Sequence, residues 1–486
     1  MSRTSAATVP PISTSDQLGN DRRMQFVANN RPVLGIRRED YNRWEARAPL
    51  SPAHVQKLVD RGVKVLVQPA SKRAYSGKEY QAAGAHIRED LSEASVILGV
   101  KTVPPEELLP NKTYAFFSHT IKAQEANMPM LDAILEKNIR IFDYEMMLDE
   151  AGVSPVAGAM GRLAGISGMI NILHAMGTRL LALGNYTPFL RIGPTHSYRN
   201  IEMCRQAVRD CGYDLALGRM PESMGPLTFL FTGSGYVSKG AQEMLKELPV
   251  QFVDPTELRD VCASGDTTRV YAAVLRRHHH LRQRDSGQYD EKEYTAHPDR
   301  YVSTFAQQFA PYVSCLVNGM YWPPTAPRLL TNADLQGLLG NNATDNGGPG
   351  EVLGCPRLPH RLIAVSDISA DEGGSLEFMT RCTSMDSQFE VSDGTKSVPG
   401  IMGDGVVVCS VDNLPAQLPR EATDIFGDQL LPYVWEMLHS MAEVPFESQA
   451  HLFCRTLQDA TIASNGKLRP KYEYISELRA SKNKLQ

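Results

Sequence analysis

The sequence predicts an α/β protein with two Rossmann-like domains built on parallel sheets. Three observations carry that prediction. Short apolar, β-favouring runs alternate with helical stretches from residue 32 to residue 143, the pattern of a parallel sheet covered by helices. A second apolar run, Leu227-Thr-Phe-Leu-Phe-Thr232, passes straight into Gly233-Ser-Gly235 and then a helical stretch at 241–248. The chain is also 486 residues long, enough for two or three domains with a large core.

In chain order, residues 1–31 are Ser/Thr-rich and lack hydrophobic periodicity. Arg3, Arg22 and Arg23 suit a mitochondrial presequence, whereas Asp16 and Asp21 suit a disordered segment. Order begins with a strand at 32–39. Ser51 and Pro52 are good N-cap and first-turn residues for a helix through Leu58. Further strands are expected at 63–67, 96–100, 114–118 and 139–143, with helices near 78–83 and 129–137. In a parallel α/β sheet, ligands bind beyond the C-terminal ends of the strands. Those ends carry Lys101, His119, Lys122 and Glu145, and the loop after the first strand carries Glu45 and Arg47. Each alone reads as a solvated loop residue. Collected at one sheet edge, they are a candidate site.

The stretch 226–240 has the strand, glycine turn and helix of a dinucleotide site. One glycine permits the tight turn, the next lets a pyrophosphate approach the backbone, and the helix N-terminus faces the phosphates. The expected contacts are Gly233, Ser234, Gly235, Tyr236 and Val237. Ser238 stands where a third glycine would complete G-x-G-x-x-G. Asp254 ends the next apolar segment, 19 residues after Gly235, where a ribose-binding carboxylate is expected. A GxG pair alone is also explained by a plain glycine turn; the flanking strand, helix and acid favour a nucleotide.

Later strands are expected at 311–318 and 362–366, a Gly/Asn-rich loop at 341–350, and a helix at 428–441. Residues 264–308, with Arg276-Arg-His-His-His-Leu-Arg-Gln-Arg284, read as an insertion in the dinucleotide domain. Adjacent histidines on a helix point in different directions, so a solvated basic helix suits them better than a metal site. No metal is expected elsewhere either. The glycine-rich helical stretch 157–184 is interrupted by Arg162, His174 and Arg179, and so reads as a closely packed helix outside a membrane. Its Gly161 and Gly165 suit close packing. A net charge of -5 argues against nucleic acid as a partner. Eight cysteines without a CxxC pair suggest reduced thiols.

Several motifs resemble one family. They are Ile36-Arg-Arg-Glu-Asp40, Trp44-Glu-Ala-Arg-Ala-Pro-Leu50, Ile97-Leu-Gly-Val-Lys101 and Ser118-His-Thr-Ile-Lys-Ala-Gln-Glu-Ala-Asn127. Further matches are Gly168-Met-Ile-Asn-Ile-Leu-His174, Arg277-His-His-His-Leu281, Asp367-Ile-Ser-Ala-Asp371 and Asp412-Asn-Leu-Pro-Ala-Gln-Leu-Pro419. From about residue 32 to 475 the chain resembles the lysine-ketoglutarate reductase half of bifunctional α-aminoadipic semialdehyde synthases. The resemblance implies an alanine dehydrogenase/transhydrogenase-like fold with its site in an interdomain cleft. On that basis a substrate domain spans 32–185 and a dinucleotide domain 186–425, with helices at 426–486 returning to the first.

The resemblance implies that L-lysine and 2-oxoglutarate condense to an imine, which NADPH reduces to saccharopine; NADH is the alternative cofactor. Lys101 and His119 fall on the family's catalytic pair. Arg47 and Lys122 match positions that hold substrate carboxylates, and Glu45 lies beside Arg47 in the same loop. Glu145 matches an acid that steadies the lysine or the incoming amine, and Asp412 an aspartate at the cleft. The segment 152–161 departs from the family: Ser154 stands where relatives carry an arginine, with Arg162 as its candidate substitute. Asp254 would favour NAD over the 2′-phosphate of NADP. A homo-oligomer in the mitochondrial matrix is expected, with the cytoplasm as the alternative. The family's saccharopine dehydrogenase half has no counterpart before Gln486, so it is expected as a partner domain or separate chain. Another NAD(P)-linked amino-acid dehydrogenase, or a nucleotide-binding regulatory module without catalysis, remain the competing readings.

Overall fold

A computed structural model describes residues 32–150, 152, 154–340, 356 and 358–483. Residues 1–31 and the glycine-rich stretch 341–350 lie outside them. The chain divides into two compact units, one of Met1–Ala157 with Thr423–Gln486 and the other of Gly158–Ala422.

The first unit opens with β1 (Val33–Ile36), β2 (Lys64–Val67), β3 (His86–Ile87), β4 (Val96–Leu98), β5 (Thr113–Phe116) and β6 (Arg140–Asp143). These strands are almost wholly apolar because helices and loops cover both faces of a parallel sheet. The connecting helices Pro52–Val59, Gly77–Ala82 and Met128–Glu136 make the crossovers that parallel pairing requires.

The second unit contains β7 (Leu227–Thr232), β8 (Val250–Phe252), β9 (Val270–Leu275), β10 (Leu281–Gln283), β11 (Tyr301–Ser303), β12 (Cys315–Asn318), β13 (Ala364–Asp367), β14 (Glu390–Ser392), β15 (Ser397–Pro399) and β16 (Val406–Cys409). Its main sheet runs β15-β14-β16-β13-β12-β7-β9-β8. The strands from β16 to β8 pair in parallel, and β14 and β15 add antiparallel pairs at one edge. Leu230, Leu316, Val365 and Val408 belong to its core.

The chain then returns to the first unit, where β17 (Thr461–Ser464) and β18 (Lys467–Leu468) complete the sheet β18-β17-β6-β5-β4-β1-β2-β3. Helix Pro419–Met437 begins nine residues earlier than the 428 expected from sequence.

Two sequence expectations need correction. The first domain was expected to run to 185, but the division falls at 157/158, inside helix Pro155–Ala182. That helix packs within the second unit: an added Cβ at Gly165 would collide with the Val237 carbonyl, and one at Gly240 with the Arg162 carbonyl. Gly165 and Gly240 thus supply the close backbone approach that suits small residues. The insertion is also narrower than 264–308, because β9 lies between β7 and β8 in the main sheet. What remains beyond Leu275 is the β10–β11 hairpin with helix Glu291–Ala296, around a small core of Leu281, Tyr294, Tyr301 and Ala326.

Arg276–Arg284 is correspondingly not one basic helix. Helix Arg277–His280 gives way at once to β10, and His280 is buried against the Ser303 hydroxyl at 3.0 Å. Among the described residues no His/Cys/Asp/Glu cluster is grouped to hold a metal, and no helix is long and apolar enough to cross a membrane.

Candidate active site

In the first unit the expected residues gather beyond the C-terminal ends of β1, β4, β5 and β6. Lys101 follows β4, and its backbone is fixed from below. The Glu39 carboxylate accepts from the backbone N–H groups of Val100 at 2.8 Å and Lys101 at 2.9 Å. Burial pushes the Glu39 carboxyl up to about 7, with Glu45 adding to the rise and Arg37 opposing it. The Lys101 ammonium lies 5.3 Å from the centre of the Tyr41 ring, within cation–π range. Its charged neighbours include the carboxylates of Glu45 and Glu145, opposite in sign to the cations that would make it a base.

His119 sits in a tight turn after β5. Its own φ is +52° and that of Ala123 is +47°, a left-handed backbone that side-chain-bearing residues rarely adopt and that clusters at functional sites. Asn127 Nδ2 donates to the His119 carbonyl at 3.0 Å, and Lys482 Nζ donates to the carbonyls of Lys122 and Ala123 at 2.8 and 3.0 Å. The imidazole stacks on Phe117, ring centres 6.2 Å apart, while Tyr144 meets Phe117 edge-on.

His119 Nδ1 lies 3.7 Å from Glu145 Oε2, too long for a hydrogen bond. His119 first, then Lys122 and Lys101, hold the Glu145 carboxyl below its usual range against the opposing effect of burial. The Glu145 backbone is anchored by Asp143 Oδ1, which accepts its N–H at 2.8 Å. The other Asp143 oxygen accepts from Ser118, which also bonds Thr120 at 2.7 Å. Asp143 is fully buried and its carboxyl is pushed up to about 6 by that burial. One buried acid therefore ties the His119 turn to the Glu145 turn.

Arg47 forks onto Glu45 through Nε and Nη2, both at 2.7 Å, with both side chains buried. Burial alone would raise the Glu45 carboxyl, but Arg47 outweighs it and the acid stays below its usual range. Lys122 is exposed.

The second unit holds the glycine turn. Gly233 has φ +77°, the conformation for which glycine is needed. Gly235 caps helix Tyr236–Leu245, and a Cβ there would meet nothing within 4 Å. That open approach to a helix N-terminus fits a pyrophosphate. Ser234, Gly235 and Tyr236 are exposed and Val237 is half-buried. Ser238 is buried in the third glycine's place, its hydroxyl accepting from Gln242 at 2.9 Å. Behind the turn, Thr232 donates to Asn318 Oδ1 at 2.6 Å. Asn318 Nδ2 in turn reaches Asp367, Ser369 and Ser375 at 2.9, 3.1 and 2.9 Å. This buried network joins the tips of β7, β12 and β13.

Asp254 does not stand where the sequence spacing places it. It ends the edge strand β8, which pairs only with β9. Its Oδ1 caps the following turn, accepting from the Thr256 N–H at 3.0 Å and hydroxyl at 2.6 Å. Asp412 is exposed just past β16, beside Asn413 in a left-handed conformation. Arg162 forms a fork on Glu243 at 2.8 and 2.6 Å, which engages it on a neighbouring helix. Sequence reasoning missed Glu39, Asp143 and Asn318 as supporting residues; the only local signal was a polar residue at or just past the end of an apolar strand.

Residues 35–164 match the alanine dehydrogenase/PNT N-terminal domain and residues 363–470 its C-terminal domain. The chain is 53% identical over 460 residues, 94% of its length, to the mitochondrial α-aminoadipic semialdehyde synthase of Bos taurus, and 37% identical over 469 residues to that of Arabidopsis thaliana. It spans about half the length of these relatives, 49% and 42% respectively. A saccharopine dehydrogenase [NAD(+), L-lysine-forming] of Candida albicans is 21% identical over 84% of this chain and 92% of its own. The fold matches an L-alanine dehydrogenase (TM-score 0.54, 17% identity, 92% of this chain and 99% of that one). It also matches a transhydrogenase from Sinorhizobium meliloti (TM-score 0.53, 14% identity, 90% and 100%). With the alanine dehydrogenase/PNT N- and C-terminal domains both present on two mainly parallel eight-stranded sheets, the chain is a relative of the α-aminoadipic semialdehyde synthases.

Proposed function

We propose that this chain is a lysine–2-oxoglutarate reductase, condensing the ε-amine of L-lysine with the ketone of 2-oxoglutarate and reducing the imine to saccharopine. The observation that carries the reading is the collection of Lys101, His119 and Glu145 at one sheet edge, with the Glu45–Arg47 pair in the loop after β1 of the same sheet. Its likeness, over most of its length, to a fungal protein named for forming L-lysine from saccharopine supports the same chemistry.

Imine formation passes through a carbinolamine that loses water, so one group must accept a proton from the incoming ammonium and another must donate one to the departing hydroxyl. His119 is the acceptor, through an imidazole nitrogen at the same sheet edge as Lys101. Lys101, held among carboxylates, is the donor. Glu145 orients the imidazole and attracts the substrate ammonium, while Lys122 and Arg47 attract carboxylates. NADPH, or NADH, would be held at Gly233, Ser234, Gly235, Tyr236 and Val237, and supplies the hydride when bound. We place the enzyme in mitochondria, as its mammalian relatives are named, with a saccharopine dehydrogenase as its functional partner and a homo-oligomer as its assembly.

Oxidation of NADPH should require lysine and 2-oxoglutarate together. Turnover with pyruvate and ammonia instead would make the chain an alanine-type dehydrogenase, and turnover with neither pair would make it a non-catalytic nucleotide-binding protein.

A further inference from the structure

Strand order decides which residues stand beside the adenosine ribose. In a dinucleotide fold the ribose lies at the C-terminal end of the strand that pairs with the glycine-turn strand. β7 pairs with both β12 and β9; the ribose side is β9, the flank towards β8, which follows the glycine-turn helix in the chain. Six residue pairs run from Leu227–Val270 to Thr232–Leu275, and Gly233 N donates to the Leu275 carbonyl at 3.2 Å. The residue after Leu275 is Arg276, followed by Arg277, His278 and His279.

The basic side chains of this segment divide into two sets. The Arg277 guanidinium lies over the Tyr294 ring, 5.2 Å from its centre. Arg282 donates to the carbonyls of His278, Leu281 and His279 at 2.8–3.0 Å. Both are engaged in holding the hairpin. Arg276 and His278 are exposed, and a 3.0 Å bond from the Arg276 N–H to His279 Nδ1 fixes the turn that presents them. The Asp254 carboxylate, which ends the next strand out, caps the turn through Thr256 and lies near enough to His279 and His278 to interact with their rings.

We propose that Arg276, with His278 beside it, forms the subsite for the 2′-phosphate of an NADP-type cofactor, and that Asp254 is a turn cap rather than a ribose ligand. This rests on the nucleotide reading of the glycine turn. An arginine at the strand tip offers the planar fork that suits a phosphate dianion, where an acid would repel it.

Isothermal titration of the full chain with 2′,5′-ADP and with 5′-AMP tests it without turnover. The unaltered protein should bind 2′,5′-ADP more tightly than 5′-AMP. Arg276→Ala should weaken 2′,5′-ADP by about tenfold or more while leaving 5′-AMP within about twofold, as expected for loss of a charge-assisted phosphate contact. Arg276→Lys should keep part of the preference, and Asp254→Ala should leave the ratio within about twofold. Equal losses for both ligands in Arg276→Ala, or a larger change of ratio in Asp254→Ala, would overturn the assignment. Tight binding of both ligands without preference removes this subsite alone; binding of neither removes the glycine-turn reading with it.

Discussion

Glu39 holds Lys101 by its backbone: its carboxylate accepts from the N–H groups of Val100 and Lys101 at 2.8 and 2.9 Å. A carboxyl pushed up to about 7 by burial binds its proton more tightly in the folded chain than in the unfolded one. Its contribution to stability is therefore fully present below about 4.5, the ordinary value, and is lost as pH rises through about 7. Glu39→Gln resembles the protonated acid and removes this dependence. Melting temperatures from pH 5 to 8.5 should show the variant gaining on the unaltered protein as pH rises; parallel curves would mean that Glu39 does not titrate in this window.

The two glycine environments of the second unit make opposite predictions. A side chain at Gly235 would enter open space, so Gly235→Val should fold normally and lose nucleotide binding. A side chain at Gly165 would strike the Val237 carbonyl, so Gly165→Ala should destabilise by about 1–3 kcal/mol or more through overpacking. Thermal unfolding with NADPH titration by fluorescence checks both. Normal NADPH binding by Gly235→Val would displace the cofactor from this turn.

Lys122 and Arg47 should also separate. Removing Arg47 takes its two-bonded fork away from the buried Glu45, and breaking a buried ion pair costs about 3–5 kcal/mol, so Arg47→Ala should be unstable as well as weak in binding. Lys122 is exposed, and Lys122→Ala should keep the fold and raise KM for 2-oxoglutarate more than it lowers kcat. A drop in kcat at constant KM would remove Lys122 from substrate binding.

Much of this was legible from local sequence. The strand–turn–helix at Gly233–Gly235 announces itself because φ +77° at Gly233 demands glycine and Gly235 leaves an open approach to the helix that follows. Strand order was not legible, since pairing is a long-range property. Even so, Val270-Tyr-Ala-Ala-Val-Leu275 is continuously apolar and buried, whereas Val250-Gln-Phe252 is largely exposed. That contrast marks the central and edge strands. Asp143 and Glu39 were invisible for a different reason. Glu39 accepts from a backbone segment that only the fold brings near, and Asp143 joins its chain neighbour Glu145 to the distant Ser118 hydroxyl.

Lys101→Met and His119→Gln should each lower kcat by at least about 10²-fold, with little change in NADPH affinity. Because the two groups serve one sequence of proton transfers, the double variant should lose far less than the product of the single losses. Steady-state kinetics on the three variants decides the point; near-normal kcat in either single variant would remove that residue from catalysis.

The most direct measurement follows the hydride itself. Cofactor carrying deuterium at the transferable position of its nicotinamide ring is incubated with the protein, L-lysine and 2-oxoglutarate, and the products are weighed by mass spectrometry. The account predicts saccharopine heavier by one deuterium, formed only when both substrates are present and lost in Lys101→Met. Failure of lysine to promote deuterium transfer, or label appearing in alanine from pyruvate and ammonia instead, would contradict it.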